Sequence, residues 1–230
     1  MQVQWLFAFL DKEMKTIVYV DGFNLYYRAL KNSKYKWLNL LGLCRAVLPK
    51  QCDIVAINYY TAHVANRLSS DSAKDQRIYL NALKTLPNLT IHFGTFQVKE
   101  KCMFLAQPVI FNPTSQIQVF PNPRYAKIVK TEEKGSDVNL GVHLVRDAFI
   151  GAFEHAAIIT NDTDLKEPLR IVVEEAKLPI TLLCPVAKPA TSLKDLATYV
   201  RHLSSHLGAS QFPNPVIDQN GDSILKPLDW

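Results

Sequence analysis

Short runs of consecutive apolar residues alternate with stretches of helical periodicity along most of this chain. Ile17-Val18-Tyr19-Val20 runs straight into Asp21-Gly22. An apolar run this short, stopped by turn residues, predicts a strand buried on both faces. Asn24 to Lys31 then reads as a helix, and Trp37 to Leu48 as an amphipathic helix ended by Pro49. Asp53 to Val64 is rich in β-branched and aromatic residues and predicts a second strand. Ser70 to Leu86 opens with capping residues and predicts a helix, and Leu89 to Val98 alternates as a third strand. Further on, Val138, Val142, Val145 and Phe149 mark one stripe of a helix that begins near Gly135. Ala156 to Thr160 and Pro179 to Cys184 are short buried strands, the second expected to be the last. Between them lies a helix from Asp164 to Ala176, with Asp164 at its cap, Glu167 three residues on, and Pro168 tolerated in the first turn. Leu193 to Leu207 predicts a closing helix, and the proline-bearing tail from Gly208 a loose end.

Strands alternating with helices imply an α/β domain around a central, mainly parallel sheet. Residues 99–134 interrupt the rhythm. Pro108, Pro113, Pro121 and Pro123 punctuate short β-like pieces, Pro108 to Phe111 and Ile117 to Phe120. Lysines and Arg124 outnumber the acids there, so this stretch reads as a basic β-hairpin arm inserted beside the sheet. The organisation expected is a domain over 14–207 carrying that insertion, an extension over 1–13, and a tail over 208–230.

Composition narrows this little. The chain has 230 residues, 48% hydrophobic, enough for one sizeable core. Net charge of +5 is compatible with a polyanionic partner without pointing to one. Cys44, Cys52, Cys102 and Cys184 form no C-x-x-C pair and read as thiols in a reducing, cytoplasmic setting. No apolar run approaches the ~20 residues of a membrane span. The apolar Trp5 to Leu10 stretch is a candidate contact for a homodimer.

The chemistry gathers where parallel strands end. Asp21 closes the first strand, Asp162 and Asp164 follow the strand ending near Thr160, and Asp137 lies in the first turn of the helix near Gly135. Parallel strands deliver their carboxyl ends to one rim, so acids far apart in sequence can converge. Acids so gathered repel one another unless a cation sits among them. With oxygen ligands and no His or Cys, Mg²⁺ or Mn²⁺ is the expected occupant. Each acid also has a plainer reading: Asp21 or Asp164 as a helix cap, Asp137 as a favourable charge at a helix start. Asp147 is expected in a supporting hydrogen-bond role, and Glu133 in solvent. No G-x-x-x-x-G-K-[ST] occurs, which argues against a P-loop nucleotidase. Phe23 stands where a haloacid-dehalogenase-like phosphatase needs a second acid.

Three blocks carry a family resemblance: Asp21-Gly22-Phe23-Asn24-Leu25-Tyr26, Lys130 through Val138, and Thr160-Asn161-Asp162-Thr163-Asp164-Leu165. In order and spacing, over roughly residues 15 to 185, they resemble the NYN domain family, a branch of the PIN-like nucleases. The resemblance implies a PIN-like Rossmannoid three-layer fold and a metal-dependent endoribonuclease, with Asp21, Asp137, Asp162 and Asp164 as the acidic site. It makes Asn24 an auxiliary polar residue and lets Lys134 face the substrate. On that reading bound Mg²⁺ or Mn²⁺ activates water against an RNA phosphodiester. Thr160 and Asn161 would steady a phosphate oxygen, Lys130, Lys134, Arg124 and Lys127 would pair with flanking phosphates, and Tyr26, Tyr27 and Tyr125 are candidates to stack bases. The alternative is a catalytically weak RNA-binding or regulatory protein on the same fold.

Overall fold

The structure is a computed structural model that describes residues 13–64, 70–106, 124–228 and 230. The amino-terminal stretch with Trp5 to Leu10, and the pieces Pro108 to Phe111 and Ile117 to Phe120, lie outside the described residues. The apolar run forms β1, Met14–Asp21. It is followed by α1, Gly22–Leu25, which widens into a π-helical turn over Tyr26–Leu30. Next come α2 (Leu40–Val47), capped by Asn39, then β2 (Cys52–Thr61), α3 (Ser70–Leu83) and β3 (Leu89–Phe93). These strands, with β6 (His155–Ile159), β7 (Ile180–Cys184) and β8 (Tyr199–His202), build a six-stranded sheet in the order β3-β2-β1-β6-β7-β8. Every pairing in it is parallel. The order reverses between β1 and β6, and in such sheets that is where ligands bind, beyond the strands' carboxyl ends.

The alternation within β1 explains the layering. Val18 and Val20 face one apolar cluster with α2, α3 and Phe212, whereas Ile17 and Tyr19 face a second one. That second cluster holds Leu140, Leu144 and Ala148 of α4 (Ser136–Phe149) and Leu169 of α5 (Lys166–Arg170). The result is an α/β sandwich of Rossmann-like, three-layer form. Among the described residues no helix is long and apolar enough to cross a membrane.

The arm is a separate two-stranded sheet. β4 (Thr95–Phe104) pairs antiparallel with β5 (Tyr125–Lys134) over its whole length. The alternating stretch from Leu89 to Val98 is therefore two strands, not one. The break falls at Gly94, where a Cβ would stand 2.6 Å from the Lys134 carbonyl oxygen, so only glycine lets the arm's base close.

Five further expectations are corrected. Pro179 to Cys184 is not the last strand, and Leu193 to Leu207 is not a closing helix. A short helix α6 (Thr191–Lys194) precedes β8, because β-branched and aromatic Thr198-Tyr199-Val200 pair with the open edge of β7. The tail from Gly208 is not loose: Phe212 and Val216 are buried, and β9 (Val216–Ile217) pairs with β10 (Ser223–Ile224). The stripe Val138, Val142 and Phe149 belongs to α4 but faces outward; the sheet is covered by Leu140, Leu144 and Ala148 instead. Finally, Asp162, not Asp164, caps the turn into α5: its Oδ1 accepts the Asp164 N–H at 3.0 Å ahead of a 3₁₀ turn over Thr163–Leu165.

Candidate active site

β1 ends on Asp21 because the last buried position of the strand coincides with the cap of α1: Asp21 Oδ1 accepts the Asn24 N–H at 2.8 Å. Its other oxygen accepts the Thr160 hydroxyl at 2.9 Å, across the β1–β6 gap. Thr160 Oγ1 in turn accepts the Asp162 N–H at 3.0 Å. Asn24 Oδ1 accepts the Asn161 N–H at 3.0 Å, and Asn161 Oδ1 accepts the Ala190 N–H at 2.8 Å. A continuous network therefore ties the first βα turn to the loop after β6. Thr160, Asn161 and Asn24 serve it by holding loop backbone in place.

Gly22 is seated against β2. A Cβ there would lie 2.6 Å from the Tyr59 ring and 2.7 Å from the Tyr60 carbonyl oxygen. That close approach fixes Asp21 with only 3% of its surface exposed. Burial pushes its carboxyl up to about 7, and Asp137 and Asp162 add to the rise, while the Asn24 N–H and Thr160 hydroxyl oppose it. Asp137 is also raised, first by burial, then by Asp162, Glu133 and Asp164.

The cleft beyond Asp21 has a volume of about 430 Å³. Asp21, Asn24, Asp137, Asp162 and Glu133 supply its polar wall; Phe23, Tyr27 and Phe96 supply an aromatic one; Arg28 adds a cation. Phe23 meets Phe96 edge-on at 5.6 Å and Tyr27 nearly parallel at 6.4 Å. Phe96 and Glu133 are register partners at the base of the arm, so the insertion closes one side of the cleft.

The sequence-derived residues thus divide. Asp21, Asn24, Asp137 and Asp162 meet in the cleft, and Thr160 and Asn161 support it from behind. Asp164 is exposed and lines an adjacent apolar groove with Asp137 and Val138. Lys127 is paired with Glu100, and Lys130 and Lys134 with Glu132, whose carboxyl they hold down at about 2. Those lysines and the exposed Arg124 lie on or beside the arm and do not line the cleft. Asp147 supports no rim residue: it accepts the Tyr19 hydroxyl at 2.7 Å and pairs with Arg146. Glu133 lines the cleft and accepts the Ser136 N–H at 3.0 Å, which starts α4. Tyr125 packs on Phe104 at 4.4 Å, out on the arm. Arg28 and Phe96 were not singled out by sequence reasoning, and Phe23 only for the second acid it replaces; Phe23 and Arg28 flank the Asp21 turn, whereas Phe96 arrives by tertiary pairing alone.

Among the described residues, no group of three or more His, Cys, Asp or Glu side chains is arranged to hold a metal ion. Asp21 accepts one hydrogen bond on each oxygen, and burial raises its carboxyl to about 7. No protein-family model matches the chain. The chain is 30% identical over 250 aligned positions, 96% of its own length and 77% of the relative's, to 6-hydroxy-3-succinoylpyridine 3-monooxygenase HspA of Pseudomonas putida. A crystal structure of a protein of unknown function from Vibrio parahaemolyticus, VPA0982, shares the fold with a TM-score of 0.52 at 12% identity, over 84% of this chain and 94% of that one. The monooxygenase relative overturns the expectation of a Mg²⁺- or Mn²⁺-dependent ribonuclease, and its RNA-binding alternative gains nothing from the geometry.

Proposed function

The chain belongs to the family of 6-hydroxy-3-succinoylpyridine 3-monooxygenase HspA, and from that membership we propose that it is an oxidoreductase that oxygenates the ring of a hydroxylated pyridine-type acid in the Asp21 cleft. The observation that carries this reading is that the match runs through nearly the whole chain. The cleft supports it. A flat ring fits between Phe23, Tyr27 and Phe96, and Arg28 can pair with a substrate carboxylate. A carboxyl at about 7 is tuned to take a proton near neutrality. Asp21 would remove the proton of a ring hydroxyl or its lactam N–H. The resulting anion places electron density on ring carbons and makes them better nucleophiles toward oxygen.

One oxygen atom enters a ring C–O bond and the other leaves as water, so two electrons and two protons must come from an external donor of the reduced nicotinamide or flavin class. The rim does not suit a dinucleotide pyrophosphate. The first βα turn has no G-x-G-x-x-G, Gly22 is packed on Tyr59 and Tyr60, and the four carboxyl groups of Asp21, Glu133, Asp137 and Asp162 line the cleft beyond it. No step is therefore routed through a dinucleotide there.

Purified protein with 6-hydroxynicotinate, or a longer-tailed hydroxypyridine acid, should take up O₂ in an oxygen electrode when reduced nicotinamide or reduced flavin is supplied. The expected stoichiometry is one O₂ per donor oxidised and one oxygen added per product. Enzyme-dependent O₂ uptake with reduced nicotinamide in the absence of substrate, or substrate-dependent uptake ending wholly in peroxide, would overturn the reading.

A further inference from the structure

A second chamber lies on the other side of α1 from the active-site cleft, with Phe23 and Tyr27 in the walls of both. Its volume is about 390 Å³, within the roughly 300–1,000 Å³ usual for small-molecule sites. Its walls are rings: Tyr26, Tyr59, Tyr79 and Trp230 line it together with Phe23. Tyr79 is fixed by donating to the Leu38 carbonyl at 2.9 Å, and Trp230 packs on it at 5.5 Å. Lys31 stands at the wall with Nζ 5.1 Å from the centre of the Tyr27 ring. Lys31 and Lys36 outnumber Asp75 among the charged groups around the chamber.

Tyr59 distinguishes this space from an ordinary packing gap. The residue is only 6% exposed, and no hydrogen bond of its hydroxyl is seen among the described residues. Among those residues no polar side-chain atom is sealed away unsatisfied. Tyr59 and Gly22 are both in the chamber's wall, and the hydroxyl lies beside Gly22 there. Burial first, and Asp21 second, raise its pKa, so it remains a neutral donor. A buried donor facing an aromatic-walled space calls for an acceptor on whatever fills it.

We propose that this chamber binds a planar aromatic ring bearing an acceptor for the Tyr59 hydroxyl and an anionic tail that pairs with Lys31. Two sources share that chemistry: an aromatic acid of the substrate class, and the ring of a redox mononucleotide. The inference does not depend on the oxygenation reading, because binding is read without turnover.

Trp230 in the wall supplies the signal. The full chain is titrated separately with 6-hydroxynicotinate and with flavin mononucleotide, following tryptophan fluorescence and, for the flavin, its own emission. Saturable quenching by at least one probe is expected, and which probe binds names the source. Lys31→Glu and Tyr59→Phe should each weaken that binding about tenfold or more, as loss of a hydrogen bond to a charged or buried partner does. Trp230→Phe should reduce the tryptophan signal to what the remaining tryptophans contribute, among them Trp37 at 6.5 Å from Trp230, with binding still measured by equilibrium dialysis. Lys31 is on the surface, so Lys31→Glu keeps its fold, checked by circular dichroism. The proposal is overturned if neither probe binds by about 1 mM, or if binding is unchanged in both Lys31→Glu and Tyr59→Phe.

Discussion

The two ends of the central sheet each bury a titratable group. At the amino end, His155 of β6 sits between the Thr16 hydroxyl at 3.2 Å and the Thr181 hydroxyl at 2.9 Å, with the Cys52 thiol at 3.8 Å. At the carboxyl end, Asp21 of β1 sits between the Asn24 N–H and the Thr160 hydroxyl. Burial disfavours the charged form of both: the imidazole falls to about 4 and the carboxyl rises to about 7. They differ in what lies beyond. His155 is closed in on every side by neighbouring strands, whereas Asp21 opens on a cleft with aromatic walls and a cation. A shifted pKa alone does not mark a site; it becomes chemistry only where a second molecule can reach the group.

That contrast can be broken or sharpened in four ways. The largest effect is expected for Asp21→Asn, which removes the proton acceptor but keeps the Asn24 cap. Oxygenation should fall about 10²- to 10⁴-fold, with the fold intact by circular dichroism. Stability should move oppositely. The folded chain keeps a proton on Asp21 that the unfolded chain releases above pH 3.8, so wild-type stability falls as pH rises towards 7 and is flat beyond. The variant lacks that loss, which in urea melts compared at pH 5 and pH 8 should reach about 3 kcal/mol for the wild type.

His155 should show the opposite slope and no catalytic one. The unfolded chain binds a proton below pH 6.5 that the folded imidazole refuses until about 4, so stability falls as pH drops through that window. The loss should reach about 3 kcal/mol. His155→Gln should flatten the slope in the same urea melts, at no cost to kcat at pH 7.5. Gly22→Ala comes next: a methyl group 2.6 Å from the Tyr59 ring should cost about 1–3 kcal/mol of stability, in the range of overpacked cores. Smallest is Arg28→Ala. Its side chain is exposed at the cleft mouth, so KM for an acidic substrate should rise about tenfold, with kcat nearly unchanged.

Much of this architecture was legible beforehand. Ile17 to Val20 announced a strand with both faces covered, and Asp21-Gly22 its turn at the switch point. The blocks around Asp21, Asp137 and Asp162 do meet at one rim, and β4 and β5 form an antiparallel pair where a hairpin arm was expected. Errors arose where two patterns competed in the same residues. The α4 segment carries one apolar stripe through Val138 and another through Leu140 and Leu144; the sheet buries the second because Asp147, on that side, is satisfied by Tyr19. Leu193, Leu196, Val200, Leu203 and Leu207 keep helical spacing, but an unpaired edge on β7 captured Tyr199–His202. Asp162 and Asp164 are both good caps, and the extended backbone at Asp162 decided between them.

The chemistry was the least legible part. Carboxylates at a strand end suit a divalent cation or a proton transfer equally well on paper. What bears on the choice is how deeply the carboxyl is buried. Tyr59 and Tyr60 packing on Gly22 set that burial for Asp21, and neither is a neighbour readable from spacing. Phe96 was invisible for the same reason, since only the arm's pairing carries it to the cleft.

The central claim is that ring oxygenation takes place beside Asp21. The direct measurement is ¹⁸O incorporation from labelled dioxygen into the product of a hydroxypyridine acid, followed by mass spectrometry for wild type and Asp21→Asn in parallel. The account predicts one labelled oxygen per product in the wild type and a loss of about two orders of magnitude or more in the variant. Label arriving from water, or equal incorporation by both proteins, would contradict it.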